Sequence, residues 1–200
     1  VALSKALRAG QEGGFELKDM AKWLPQMMGT SKGMLGMQGM AAFEKLISVA
    51  QTSVITAGTK DEAGNNLVNL LGKINSKDTA KDFAALGVDL PKSLQKAMED
   101  GQLPVDAFGN FVEQLAMKDK DYVALRKKAE AETGPERKKT LSAMADIMEG
   151  TVVGQVMQDR QALMALIGYM QNKPYLREVE TNVHAETGQA VKDNRALLAT

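Results

Sequence analysis

Apolar residues recur along this chain at steps of three and four, and the strict alternation of a half-buried strand is scarce, so the pattern predicts helices from end to end. The first clear run is Phe15 to Met28, with Leu17, Met20, Ala21 and Leu24 on one side. Pro25 is expected to bend or end it, because proline has no N–H for the ladder and its ring crowds the turn before it. After a loop at Gly29-Thr30-Ser31, Lys32 to Ala57 reads as one long helix stopped by Gly58. Thr59 is placed to cap the next helix, with Glu62 reaching back in a capping box. That helix turns Ala63, Leu67, Leu70, Leu71 and Ile74 to one face and Asn65, Asn66, Asn69 and Lys73 to the other. Three shorter runs follow, Lys77 to Leu86, Pro91 to Asp100 and Pro104 to Met117. The last two open on proline, and glycine closes the first two, the expected asymmetry of helix ends.

The second half is more charged. Tyr122 to Glu132 is rich in Lys, Arg, Glu and Ala; Gly134-Pro135 restarts a helix with Leu141, Met144, Ala145 and Met148 inside; Gly150-Thr151 breaks it. Val152 to Gln171 is the most apolar helix of this half, and Pro174 precedes a last one, Tyr175 to Leu198. In that last run Leu176, Val183, Ala190 and Leu197 repeat every seven residues, but the companion positions are Val179, Glu186 and Asp193, so a coiled-coil seam is half broken. Its centre is expected to be exposed, frayed or packed on another copy. The fold class is therefore all-α, about eight to eleven helices. They form an irregular multi-helix bundle of antiparallel hairpins with a long, partly exposed C-terminal helix. Residues 1–118 form the helical core region and 119–200 the charged hairpins and extended C-terminal helix, or the two make one continuous domain.

Composition narrows the function. Only 4% of residues are aromatic while 13 are Met, so the core is built from aliphatic and thioether side chains that tolerate irregular packing. Twenty-five basic residues balance 25 acidic ones, against a dedicated nucleic-acid or membrane-surface binder. With no cysteine there is no disulfide, thiolate catalysis or Cys-ligated metal. The start at Val1, without methionine or an apolar leader, points to a piece of a longer protein. The nearest thing to a membrane span, Gly33 to Gly58, carries Gln38, Glu44, Lys45 and Gln51 and reads as a buried helix.

Few residues invite chemistry. Gly33, Gly36 and Gly39 interleave with Met34, Met37 and Met40, either a close helix-packing or partner contact lined by adaptable Met, or a glycine-weakened start of a core helix. Gly29-Thr30-Ser31-Lys32-Gly33 has the wrong order for a phosphate loop and no strand before it. Arg126-Lys127-Lys128 and Arg137-Lys138-Lys139, with Glu130, Glu132 and Glu136 among them, read as a solvated face. His184, the single histidine, is expected to pair with Glu180 one turn earlier. Asp61-Glu62, Asp119 and Asp121 sit where helix starts favour negative charge. No catalytic, cofactor-binding or metal-binding set emerges.

Several turns together carry a resemblance. Gln51 to Gly58, then Asp61-Glu62-Ala63-Gly64-Asn65-Asn66-Leu67, make a long helix, a small turn and an acidic helix start; Asn69-Leu70-Leu71-Gly72-Lys73-Ile74 continues it. Asp82 to Asp89, with Phe83, Gly87 and Val88, and Asp100-Gly101 before Asp106 to Leu115 complete the order. This succession resembles the helical core region of phage tail tape measure proteins over about residues 15 to 172. Glu149-Gly150 departs from the Phe-Gly pair many relatives carry there, and the final helix matches no motif of the family. The resemblance implies a structural protein of the virion tail, made in the bacterial cytoplasm, whose length sets tail length. Its implied partners are the tail tube protein, which polymerises around it, and tail assembly chaperones. Self-association is possible within this reading, and nucleic-acid or membrane partners are not implied. Two other readings stay open, a helical adaptor or chaperone-like binding module and a fragment of a wall-degrading enzyme.

Overall fold

The computed structural model describes residues 1–33 and 37–198, and among these the chain forms 13 helices and no strand. The helix at the centre is α3 (Gly39–Thr56), in which every residue from Lys45 to Ser53 is buried. A helix buried all round must satisfy its polar side chains internally. Ser48 donates to the Glu44 carbonyl at 2.7 Å and Thr52 to the Val49 carbonyl at 2.7 Å, each bonding back within its own helix. Gln51 pairs both ways with the main chain of Phe15, its Nε2 donating to the carbonyl and its Oε1 accepting from the N–H, both at 3.0 Å. That clasp fixes the loop joining α1 (Ala2–Glu12) to α2 (Leu17–Ser31).

Against α3 lie α1, α2, α4 (Lys60–Ile74), α9 (Gly134–Glu149), α11 (Arg160–Met170) and α12 (Lys173–Ala185). Helix α11 approaches closely. A Cβ on Gly168 would stand 2.7 Å from the Thr52 carbonyl oxygen and 3.0 Å from Thr56 Oγ1, and Thr56 donates across the seam to the Met164 carbonyl at 2.8 Å. At one end, α5 (Lys77–Ala85), α6 (Leu90–Glu99) and α7 (Pro104–Ala116) close round Phe83 and Phe108, whose rings are 5.8 Å apart and tilted by 60°. The hairpin of α8 (Lys120–Ala131) and α9 leads into α10 (Val152–Val156), which touches α5, α7 and α9. At the other end α13 (Gln189–Leu198) folds back onto α1.

The all-α bundle agrees with the sequence reading; the described residues form 13 helices where about eight to eleven were expected, and the main departures are five. The Ala2–Glu12 helix has no apolar stripe long enough to announce it, since Ser4 and Lys5 are part of its buried face. Helix α2 does not end at Pro25 but runs through it to Ser31. Helix α3 begins at Gly39, not Lys32; Gly39 takes φ +63°, a left-handed conformation that a right-handed helix cannot run through. The run from Val152 to Gln171 is interrupted after Val156, because the Asp159 carboxylate caps a new helix by accepting from the Ala162 N–H at 3.0 Å. The long C-terminal helix is broken at Glu186–Gly188, where Glu186 Oε1 accepts from the N–H groups of Gly188 and Ala190 at 2.6 and 3.3 Å.

Glycine substitutions separate close packing from helix propensity. Gly168→Ala is expected to lower stability by about 1–3 kcal/mol, because the Thr52 carbonyl cannot recede without moving α3. Gly72→Ala, whose Cβ would meet only Thr30 Cγ2 at an ordinary 3.8 Å, is expected to raise it by about 0.5–1 kcal/mol. Urea unfolding of both variants checks the opposite signs.

Candidate functional site

The stretch singled out by its glycine and methionine spacing is divided by the structure. Gly33 lies in the turn after α2, where its added Cβ would strike the Asn75 side chain at 2.5 Å; Met37 is buried, and Met40, in the first turn of α3, is 44% exposed. Gly39 has open space around its Cα. Met34 and Gly36 lie outside the described residues. Gly33 also borders an apolar hollow of about 230 Å³ between the end of α4 and α5, α6 and α7, lined among others by Ile74, Asn75, Leu90, Leu94 and Met98.

The densest chemistry sits elsewhere, in a charged layer between α3 and the helices over it. Lys5 on α1 and Lys45 on α3 are 5% and 7% exposed, which lysine tolerates only with close partners. Lys5 Nζ lies 3.1 Å from Glu44 Oε1 and donates to the carbonyls of Val183 and His184 at 2.7 and 2.8 Å. Those carbonyls end α12, where a cation also meets the negative end of the helix dipole. Lys45 Nζ lies 2.7 Å from Asp106 Oδ1 and 2.6 Å from Glu180 Oε1, with the Tyr169 ring centroid 5.7 Å away. The Tyr169 hydroxyl donates to Asp106, and its own pKa is pushed far up, first by burial and then by the Asp106 charge. That phenol is a hydrogen-bond donor and not a base.

Glu180 is therefore not the partner of His184. His184 Nδ1 faces Glu44 Oε2 at 3.0 Å, with the histidine 84% exposed. At Glu44 burial works against ionisation, but the contacts from His184 and Lys5 outweigh it and hold the carboxyl below its ordinary range. Arg137 leaves the solvated face expected for its cluster. Its guanidinium donates to the Ala129 and Gln171 carbonyls, both at 2.9 Å, and to Asn172 Oδ1 at 2.8 Å, tying the α8–α9 hairpin to the end of α11. Lys127, Lys128 and Lys139 do face solvent. Among the described residues no group of three or more His, Asp or Glu is placed to hold a metal ion, and no helix is long and apolar enough to cross a membrane.

Each charge in this layer is consumed by another, and none projects into an open cavity. The arrangement clamps helices. The sequence reading gave no pairing role to Lys5, Lys45, Asp106 or Glu186; the legible signal was a lysine inside an apolar run, as in Phe43-Glu44-Lys45-Leu46-Ile47.

Comparison with known proteins finds one informative relative. The chain is similar to a probable tape measure protein of Burkholderia phage BcepMu. The two are 30% identical over 179 residues, covering 86% of this chain and 20% of that protein. The chain thus spans about a fifth of the length of the probable tape measure protein it matches. No family model and no solved structure matches the chain.

Glu186 gives the layer a measurable pH dependence. The Ser4 hydroxyl, at 2.7 Å, and then the N–H groups of Gly188 and Ala190 hold its carboxyl down to about 2. A carboxyl depressed in the folded state adds stability above its unfolded pKa near 4.5 and loses it as pH falls toward 2. The amide-exchange protection of α13, taken relative to the intrinsic rate at each pH, is expected to fall over that window, and Glu186→Gln to remove the pH dependence while leaving α4 and α11 protected.

Proposed function

We propose that this chain is a structural segment of a phage tail tape measure protein, acting in tail assembly and not as an enzyme. The similarity to the probable tape measure protein of phage BcepMu over 86% of the chain carries this reading. The fold supports it. The core is helical and aliphatic, and Lys5, Lys45, Glu44, Asp106 and Glu180 are spent on one another. On this reading the chain is made in the bacterial cytoplasm and resides in the virion tail. Its partners are the tail tube protein and tail assembly chaperones, with a partner contact at the 33–40 stretch, where Met40 is exposed and Gly33 borders an apolar hollow.

Length control makes a quantitative demand. The longest helix, α3 with 18 residues, spans only about 27 Å. Folded as here, 200 residues have a radius of gyration of roughly 16 Å. Laid end to end as helix, they span about 300 Å. We infer that the chain contributes length by opening its helical hairpins within the tube, a change to which a Met-rich core without disulfides is suited.

An in-frame deletion of Lys60 to Gly101 in the parent gene tests this. Removing about 40 residues of opened helix shortens every tail by roughly 60 Å, a difference resolved by electron microscopy of tail populations. Tails shortened by only a few ångström mean the segment stays folded. Tails of unchanged length remove it from length control and favour the adaptor reading.

A further inference from the structure

One tetrapeptide occurs twice in the chain, as Ala131-Glu132-Thr133-Gly134 and as Ala185-Glu186-Thr187-Gly188, and each copy separates two helices. The two breaks have different causes. After Gly134 comes Pro135, which has no N–H for the ladder and disfavours the helical conformation in the residue before it. Gly134 accordingly takes φ +58°. That break is written into the covalent chain. After Gly188 comes Gln189, and no proline forbids a helix there. Glycine alone does not suffice to end a helix in this fold, since α2, α4, α7 and α11 run through Gly29, Gly64, Gly72, Gly109 and Gly168.

The break between α12 and α13 is held from α1 instead. In a helix each N–H donates to the carbonyl four residues back, so for α12 to continue, Thr187 and Gly188 must reach the carbonyls of Val183 and His184. Lys5 takes both of those carbonyls, at 2.7 and 2.8 Å, with Glu44 3.1 Å from its ammonium. The donor is taken as well. The Gly188 N–H goes to Glu186 Oε1 at 2.6 Å, and the same oxygen accepts from the Ala190 N–H at 3.3 Å and from the Ser4 hydroxyl at 2.7 Å. Ser4 and Lys5 thus hold, one through Glu186 and one directly, the two sides of the missing ladder bonds. Gly188 is left at φ +130°, which a side chain rarely adopts. The seat of α13 on α1 is small, for within residues 189–197 Ala190 is the only buried one.

We propose that the break between α12 and α13 is a conformational switch set by α1. While Ser4 and Lys5 are in place, the chain turns at Glu186–Gly188. When they withdraw, the carbonyls of Val183 and His184 accept from Thr187 and Gly188, and the two helices continue as one from Lys173 to Leu198, about 39 Å long. Both states pair the same carbonyls, and the Gly188 N–H exchanges a carboxylate for a carbonyl, so the change strands no main-chain group. The Glu186 carboxylate and the Lys5 ammonium pass to water. The small seat of α13 gives up little apolar burial. Departure of α1 therefore lengthens a rigid element and melts none. The break between α8 and α9 has no such freedom, because Pro135 keeps it in both states. All this concerns the chain in solution and is independent of the tail reading.

The test follows backbone chemical shifts and amide exchange of the full chain by NMR at the two tetrapeptides. In the double variant Ser4→Ala with Lys5→Met, Glu186, Thr187 and Gly188 are expected to take helical shifts, and amide protection at Thr187 and Gly188 to rise about tenfold. Glu132 and Thr133 are expected to stay as they are. Adding Gln189→Pro supplies what Pro135 supplies at the other copy, and is expected to restore the break in the double variant. Gly188→Ala alone is expected to shift the same residues toward helix, since alanine fits a helix and not φ +130°. Two results overturn the proposal. One is a double variant in which 186–188 stay irregular with α13 still on α1, which makes the tetrapeptide itself the cause of the break. The other is a double variant in which α13 unfolds, which makes it a strap and not half of a longer helix. If the double variant does not fold, Gly188→Ala decides alone, and a break that persists there overturns the switch.

Discussion

How near α3 and α11 can approach sets the positions of the remaining helices. The approach depends on Gly168, which has no side chain to hold the Thr52 carbonyl away, and on threonines that turn their hydroxyls to carbonyls at hand. With α11 seated, α4 lies along both helices, and its buried Leu67, Leu70 and Leu71 close the apolar interior. Asn172 then carries the order onward. It donates to the Gly168 carbonyl at 2.7 Å, accepts from Arg137, and starts α12 on a path that runs back along α3. The charged layer is a consequence of that path, because it sets Glu180 beside Lys45 and the end of α12 over Lys5.

Two kinds of attachment therefore coexist. The α3–α4–α11 interior is held by apolar burial, which depends weakly on salt and pH. The α1–α12–α13 end adds to the burial of Ala6, Ala9, Leu176, Val179 and Val183 a set of ion pairs and hydrogen bonds, including those of Lys5, Glu44 and Glu186. Pairs of this type cost desolvation when buried and give register in return. Removing one partner leaves the other charge stranded, so the layer specifies a single arrangement of α12 more than it adds stability. The end most dependent on charge is also the end most open to disruption by acid or salt.

What the sequence made legible follows the same division. Helix starts were readable where a capping side chain acts locally: Thr59 accepts from Glu62 N–H at 3.0 Å, Glu62 reaches back to Gly58 N–H at 2.7 Å, and prolines open the first turns of α6, α7 and α9. The inner face of α4 was readable because its leucines keep helical spacing. Helix α1 was not, because its buried face includes Ser4 and Lys5, whose partners Glu44, Val183, His184 and Glu186 all lie on or beside other helices. Glu186 looked like a fault in a coiled-coil seam; in the fold it is a turn that caps α13, a role set by Ser4 across the interface. His184 was paired by spacing with Glu180, but Lys45 claims that carboxylate from another helix. The burial of Asn66 had no local signal either, since α4 reads as an amphipathic helix with its asparagines outside.

On the proposed tail reading, this uneven attachment gives the chain an order of opening. The α1–α12–α13 end yields first, because acid and salt weaken its charged contacts, most of all the exposed pair of His184 and Glu44, which exchanges with water at little net loss. The interior yields last, because Leu67, Leu70, Leu71, Leu163 and Leu166 lose their burial together. Each released helix keeps its own caps, as at Thr59, Ser76, Asp89, Asp119 and Asp159, so opening separates helices without melting them at once. Isolated helices of this length are marginal in water. A surrounding tube that buries their apolar faces again has to supply what the interior gave up, and the flexible thioethers of Met20, Met27, Met144 and Met148 are the side chains best able to repack against a new wall.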